Sequence, residues 1–277
     1  MPGLEIKEYL SRIGIRRIKE LDTALIEAFG REEGERHIGR LTELFDRSEE
    51  RLLYGAGDTV YLHRQEELVD YWNQSLKTSL LAASFYDRVF FRRAMEYLVE
   101  HGSFWSGEIF DMGCGNGILT CFLALRHPDS AVTGLELSSN AISVAKELAG
   151  ELEVDNVQFS KPDALGQRKC DTLFSCRTAH ENVAWRALCE EAGMPSPSPE
   201  EQVRLHGQYA KELSALVRPG GHLVSVERYE EDSAYAGLVR ALELAGFCQV
   251  KGTHMQFSCR NGDGTATFQA MVLRKNA

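Results

Sequence analysis

This sequence of 277 residues has no CxxC pair, no apolar leader, no apolar run of membrane length and no excess of basic charge. Each absence excludes something. Seven cysteines stand at 114, 121, 170, 176, 189, 248 and 259, without redox or metal-ligand spacing, and an odd count cannot be fully paired. They read as the reduced thiols of a cytoplasmic protein. The opening "MPGLEIKEYL" lacks the apolar core of a secretory leader, and without a spanning run no membrane association is expected. Asp and Glu outnumber Lys and Arg by 41 to 31, a formal net charge of −10. Because phosphate neutralisation needs clustered cations, no nucleic-acid partner is expected. Repeats and low-complexity segments are also missing.

What is present is an ordinary globular composition, 43% hydrophobic and 26% charged. The first hundred residues carry helical spacing. One stripe runs through Ile18, Leu21, Leu25 and Ala28 with Gly30 as a stop, and a second through Ile38, Leu41 and Phe45. The cluster Gly55-Ala56-Gly57-Asp58 breaks the pattern. A long apolar-rich helical stretch then extends from "EELVDYW" to "FFRRAMEYLVEHG". After Gly102 short apolar runs alternate with helical patterns: "GEIFDMG", "AVTGLELS", "VQFSKPDAL", "CDTLFSC" and "GGHLVSVER" read as five strands. "CQVKGTHMQFSC" and "ATFQAMVLRK" read as a closing pair joined by "RNGDG", a hairpin of edge strands. That alternation predicts an α/β fold with an open, mostly parallel sheet and right-handed crossovers. Residues 181–205 lengthen the connection after the fourth strand. Prolines 195, 197 and 199 keep part of it non-helical, and "SPEE" is placed to cap the next helix, whose pattern runs to Val217.

The stretch "IFDMGCGNGILT" carries the functional question. A dinucleotide fingerprint G-x-G-x-x-G begun at Gly113 would need glycine where Ile118 stands, which disfavours a nicotinamide-dependent oxidoreductase. Asp111 beside the loop would repel a pyrophosphate, but it suits a ligand carrying an ammonium and a sulfonium. The glycines let the backbone turn sharply and approach the ligand.

With these residues in view, "EIFDMGCGNGILT" resembles the first motif of the class I S-adenosylmethionine-dependent methyltransferases. The likeness continues in order through Glu136 in "GLELS", Asp163 in "VQFSKPDAL" and the turn and strand of "LVRPGGHLVSVE", covering about residues 105–277. The resemblance implies a seven-stranded Rossmann-like sheet domain over 105–277, with residues 1–104 as a helical cap and substrate region and an insertion at about 181–205. It implies S-adenosyl-L-methionine as cofactor, held by Asp111, Gly113, Cys114, Gly115, Asn116 and Gly117. Glu136, with Leu137 beside it, would take the ribose hydroxyls, since one carboxylate can accept from both. Asp163 and the Ala164 N–H would meet the adenine. Ser175 and an aromatic from the cap, Tyr86, would border the methionine end.

The fourth strand ends in "SCRTAHENV", which the resemblance places beside the transferred methyl. His180 is the candidate base, because an imidazole accepts a proton near neutrality. A hydrogen-bonded structural role is its alternative. Arg177 is a candidate for holding a substrate carboxylate, or else it caps a helix or pairs with Glu181. Glu227 is a candidate catalytic group, with a surface ion pair as its alternative. For Trp72, Tyr86 and Tyr97 the alternative is core packing. Only Glu181 could serve a hard cation there, so no metal is expected. A Pro-Pro-aromatic signature of base-modifying relatives is absent after strand four. The expected activity is methyl transfer to a small-molecule, peptide or protein acceptor. The alternative is a non-catalytic binding or interaction protein of the same fold, with the helical region offering a homodimer surface.

Overall fold

A computed structural model describes residues 5–52, 67–179, 198–229, 232–261 and 264–277. Among the described residues eight strands form one sheet: β1 Glu108–Met112, β2 Ala131–Leu135, β3 Val157–Ser160, β4 Cys170–Cys176, β5 Val217–Arg228, β6 Phe247–Gln249, β7 Met255–Asn261 and β8 Gly264–Lys275. Their order is β3-β2-β1-β4-β5-β8-β6, with β7 also on β8. Strands β1 to β5 run parallel to one another, and β8 runs antiparallel to β5.

Two sequence expectations change here. "CQVKGTHMQFSC", expected as one strand, is divided into β6 and β7, and the sheet therefore has eight strands rather than seven. Gly252, at φ +79°, turns the chain out of line, while the Thr253 hydroxyl accepts the Val272 N–H in place of a backbone carbonyl. Both pieces lie on the same side of β8. The hairpin of β7 and β8 forms as expected, but β8 is not an edge, since β5 occupies its other side.

Helices cover both faces. On one, α5 (Arg88–Glu100), α6 (Ile118–Arg126) and α7 (Ser139–Glu151) share a core with the N-terminal α1 (Ile6–Arg12). On the other lie α8 (Pro199–Leu216) and α9 (Asp232–Leu244). Alternate strand residues serve the two cores, as the pleat requires: Ile109 belongs to the first and Phe110 to the second. The expected cap on α8 is present: Ser198 accepts from the Glu201 N–H, the Glu201 carboxylate accepts from the Ser198 N–H, and Pro199 opens the helix.

A third, smaller core joins α2 (Leu21–Phe29), α3 (Arg31–Leu52), a short helix at 67–72 and α4 (Leu76–Ala82), around Leu25, Leu41, Trp72 and Leu81. Gly30 ends α2 as expected, at φ 82°. Helices α1 and α5 pack with the sheet, as do Ile13, Ile15, Leu76 and Ala83 between them, while α2, α3 and the remaining buried residues as far as Leu81 form the smaller core. The long helical stretch is likewise interrupted at Ser75, whose side chain caps α4, and passes through a π-helical turn, Ala83–Asp87, before α5. The Gly55–Asp58 break lies outside the described residues.

Candidate functional site

Strand order reverses between β1 and β4, so the crevice beyond their carboxyl ends is where such a sheet can receive a ligand. Asp111 sits there on β1, 2% exposed, accepting from the Thr120 hydroxyl at 2.6 Å. Burial pushes its carboxyl up to about 7 against the pull of the Thr120 hydrogen bond, and the nearby Glu136 charge adds to the rise. The chain then turns through Gly113 and Gly117, both at left-handed φ (69° and 77°). A Cβ on Gly113 would overlap the Thr178 methyl, and one on Gly117 would come to 2.8 Å from Ala145. The loop can pass this close to both neighbours only because side chains are missing. Cys114 has its thiol pushed far up by burial, which disfavours the thiolate. Asn116 donates to the Ser79 hydroxyl of α4 at 3.0 Å.

Glu136 follows β2. Its Oε2 accepts from the Gly115 N–H at 3.0 Å, and its Oε1 accepts from the N–H groups of Leu137 and Ser138 at 2.7 and 3.0 Å. One carboxylate thus ties the glycine loop to the β2–α7 turn. Three of its roughly four acceptor positions are used. Leu137 beside it is 75% exposed, a large apolar side chain presented at the crevice. Asp163 and Ala164 lie exposed on a 3₁₀ turn, Pro162–Leu165, after β3.

At the tip of β4, Ser175 is buried and donates to Glu227 Oε1 at 2.5 Å, with the Tyr209 hydroxyl 2.8 Å away. Glu227, on β5, is fully buried and accepts the Ala179 N–H at 2.9 Å. Arg177 has φ 60°, unusual for a side-chain-bearing residue. Its guanidinium pairs with Asp87 at 2.7 Å and lies over the Phe90 ring. His180 and Glu181 lie outside the described residues, as does most of the 181–205 insertion. Tyr86 and Trp72 face each other edge-on in the smaller core. Tyr97 is buried away from the rim, donating to the Thr253 carbonyl at 2.7 Å.

Sequence reasoning missed Tyr209, Thr178, Asp87, Ser79 and Asp70. Gln202, His206 and Tyr209 are buried at helical spacing on α8, a polar stripe on an inward face that could have pointed to Tyr209. Asp70 accepts from Ser138 at 2.7 Å. With Ser79–Asn116 and Asp87–Arg177, the segment 67–87 thereby touches the loops after β1, β2 and β4. No periodic pattern marks such contacts. Among the described residues no group of three or more His, Cys, Asp or Glu comes together as metal ligands.

Residues 106–240 match the family model of a methyltransferase domain. The chain is 32% identical over 162 residues to a ubiquinone biosynthesis O-methyltransferase of Nitrosococcus oceani, covering 58% of this chain and 60% of that protein. It is 29% identical over 172 residues to a release factor glutamine methyltransferase of Chlorobaculum tepidum, covering 57% of each. A tRNA (guanine-N(7)-)-methyltransferase of Schizosaccharomyces pombe is 27% identical over 131 residues, 45% of this chain and 48% of that one. The chain spans less than two thirds of each of these relatives. The last of them overturns the expectation that nucleic acid is excluded. Net charge is a sum over the whole chain and does not describe a local surface. No helix among the described residues is long and apolar enough to cross a membrane.

Proposed function

The chain carries a domain of the class I S-adenosylmethionine-dependent methyltransferases, and we propose that the crevice at β1, β2 and β4 binds S-adenosyl-L-methionine for transfer of its methyl group to an acceptor. The observation that carries this reading is the pairing of a buried Asp111 with a left-handed glycine loop, tied by Glu136. A buried carboxyl held near neutrality is ready to ionise against a cationic group, and the loop leaves room for close backbone approach.

In this reading Asp111 and the loop Gly113–Gly117 hold the amino-acid end of the cofactor. Glu136 accepts from the ribose, giving up some of its backbone donors to do so, while Leu137, Asp163 and Ala164 border the adenine. The bound cofactor supplies an electrophilic methyl. The protein's contribution is to hold the acceptor in line with it, and positioning of that kind supplies roughly 7–11 kcal/mol. Arg177 at the tip of β4 stands on the acceptor side, and His180 remains the proposed base for an acceptor that arrives protonated. The acceptor pocket is assigned to segment 67–87 and residues 177–179 after β4. The relatives' printed substrates include a small molecule, a protein and an RNA, and the acceptor is sought among all three. The six described cysteines are free thiols, which supports a cytoplasmic setting.

Calorimetry with S-adenosylhomocysteine tests the reading. Wild type should bind, and Asp111→Ala or Glu136→Ala should weaken binding by roughly tenfold or more. Wild type that does not bind overturns the reading, and unchanged affinity in both variants removes these residues from the site.

A further inference from the structure

The fully buried Glu227 sits in a network that reaches the glycine loop. Its Oε1 accepts from Ser175 at 2.5 Å and from Thr178 at 3.4 Å, and its Oε2 accepts the Ala179 N–H at 2.9 Å. The Tyr209 hydroxyl, arriving from α8, bonds both Ser175 and Thr178. Thr178 is the residue whose methyl fills the space beside Gly113. Between Ser175 and Thr178 stands Arg177 in its left-handed conformation, its N–H donating to the Val226 carbonyl at 3.0 Å. A strained residue of this kind persists only where its surroundings over-determine it. A carboxylate sealed from water is costly unless hydrogen bonds satisfy it, and among the described residues it draws such bonds from one three-residue loop and the strand end before it.

We propose that Glu227 is a positioning residue: with Tyr209 it clamps residues 177–179 against Gly113, registering the loop on the acceptor side to the loop on the cofactor side. This rests on the cofactor reading above for its consequence, but the clamp itself is a property of the fold. The side chain acts by accepting hydrogen bonds and transfers no proton. Glutamine should therefore substitute for it in large part. Its carbonyl can take the Ala179 N–H, and the Ser175 and Thr178 hydroxyls can rotate to accept from its amide. Alanine cannot substitute, because the Ala179 N–H would be left buried without this acceptor.

The test compares Glu227→Gln, Glu227→Ala, Tyr209→Phe and, as a control outside the network, the core truncation Leu238→Ala on α9. S-adenosylhomocysteine affinity, melting temperature and amide exchange at 177–179 are measured for each. Glu227→Gln should keep affinity within about threefold, whereas Glu227→Ala should lose roughly tenfold, with faster exchange at 177–179. Tyr209→Phe, the milder change should Glu227→Ala not fold, should raise the same exchange and lower affinity by about threefold. The proposal is overturned if Glu227→Ala and Tyr209→Phe leave exchange at 177–179 unchanged. It is equally overturned if Leu238→Ala, scaled to its loss of melting temperature, weakens binding as much as Glu227→Ala. Loss of the pH dependence of binding in Glu227→Gln would make Glu227 a titrating participant and would also sink it. Exchange needs no cofactor, so failure of wild type to bind would defeat the cofactor reading while the clamp is still decided by that arm.

Discussion

A carboxyl sealed inside a protein holds its proton to higher pH than one in water, and Asp111 does so up to about 7 from an ordinary 3.8. Between those values the folded protein keeps a proton that the unfolded chain releases. The stability contributed by this group is therefore full below about 3.8 and is lost as pH rises through about 7. Ligand binding has the opposite sign, since a cationic group favours the ionised form. Affinity for S-adenosylhomocysteine should rise by up to roughly tenfold per pH unit below about 7 and level off above it. Asp111→Asn keeps an oxygen to accept from Thr120 and removes the titration. Its affinity should be low and flat with pH, and its melting temperature should fall less than that of wild type between pH 5 and 8. A wild-type affinity that is level across that range would contradict the role given to Asp111.

Elements were legible in proportion to how far their pattern reflects local physics. The parallel strands read as short apolar runs because both faces of each are covered, and α8 announced itself through Ser198, Pro199 and Glu201. The split of the last edge was hidden, because Thr253 replaces a backbone acceptor with its side chain and only Gly252 hints at the turn. The site shows the same division. Asp111 and the glycines lie in one local motif and Glu136 at the end of the next strand, whereas Tyr209, Asp70 and Asp87 reach the rim from distant segments through side chains, which periodicity does not record. The smaller core offers a test at this scale. A Cβ on Gly34 of α3 would come within 2.6 Å of the Ile26 Cα of α2, so the two helices cross at a point that accepts no side chain. Gly34→Ala should destabilise that core by about 1–3 kcal/mol. Amide exchange should quicken in α2 and α3 while β1 to β5 are unaffected. Equal loosening of the sheet would show that the smaller core and the sheet unfold as one.

At the scale of the whole molecule, the smaller core is joined to the proposed cofactor crevice by three polar contacts, each to a different loop. Asp70 meets Ser138 after β2, Ser79 meets Asn116 after β1, and Asp87 meets Arg177 after β4. Each is partly solvated, and contacts of this kind contribute about 0–1 kcal/mol apiece, beside the buried packing of Leu76 and Ala83 into the core on the sheet. The loops they grip are those that a bound cofactor would order. Fixing three loops at once should therefore fix segment 67–87 with them, because each contact then forms against a partner that has already lost its freedom. Hydrogen exchange with and without S-adenosylhomocysteine measures this. Protection is expected at 111–118, at 134–139 and also across 67–87, although the last segment supplies no residue of the glycine loop or the β2 turn. Asp70→Ala with Asp87→Ala should remove most of the added protection in 67–87 while leaving that of the two loops in place. Protection confined to the loops in wild type would mean that this segment stands beside the crevice without responding to what fills it.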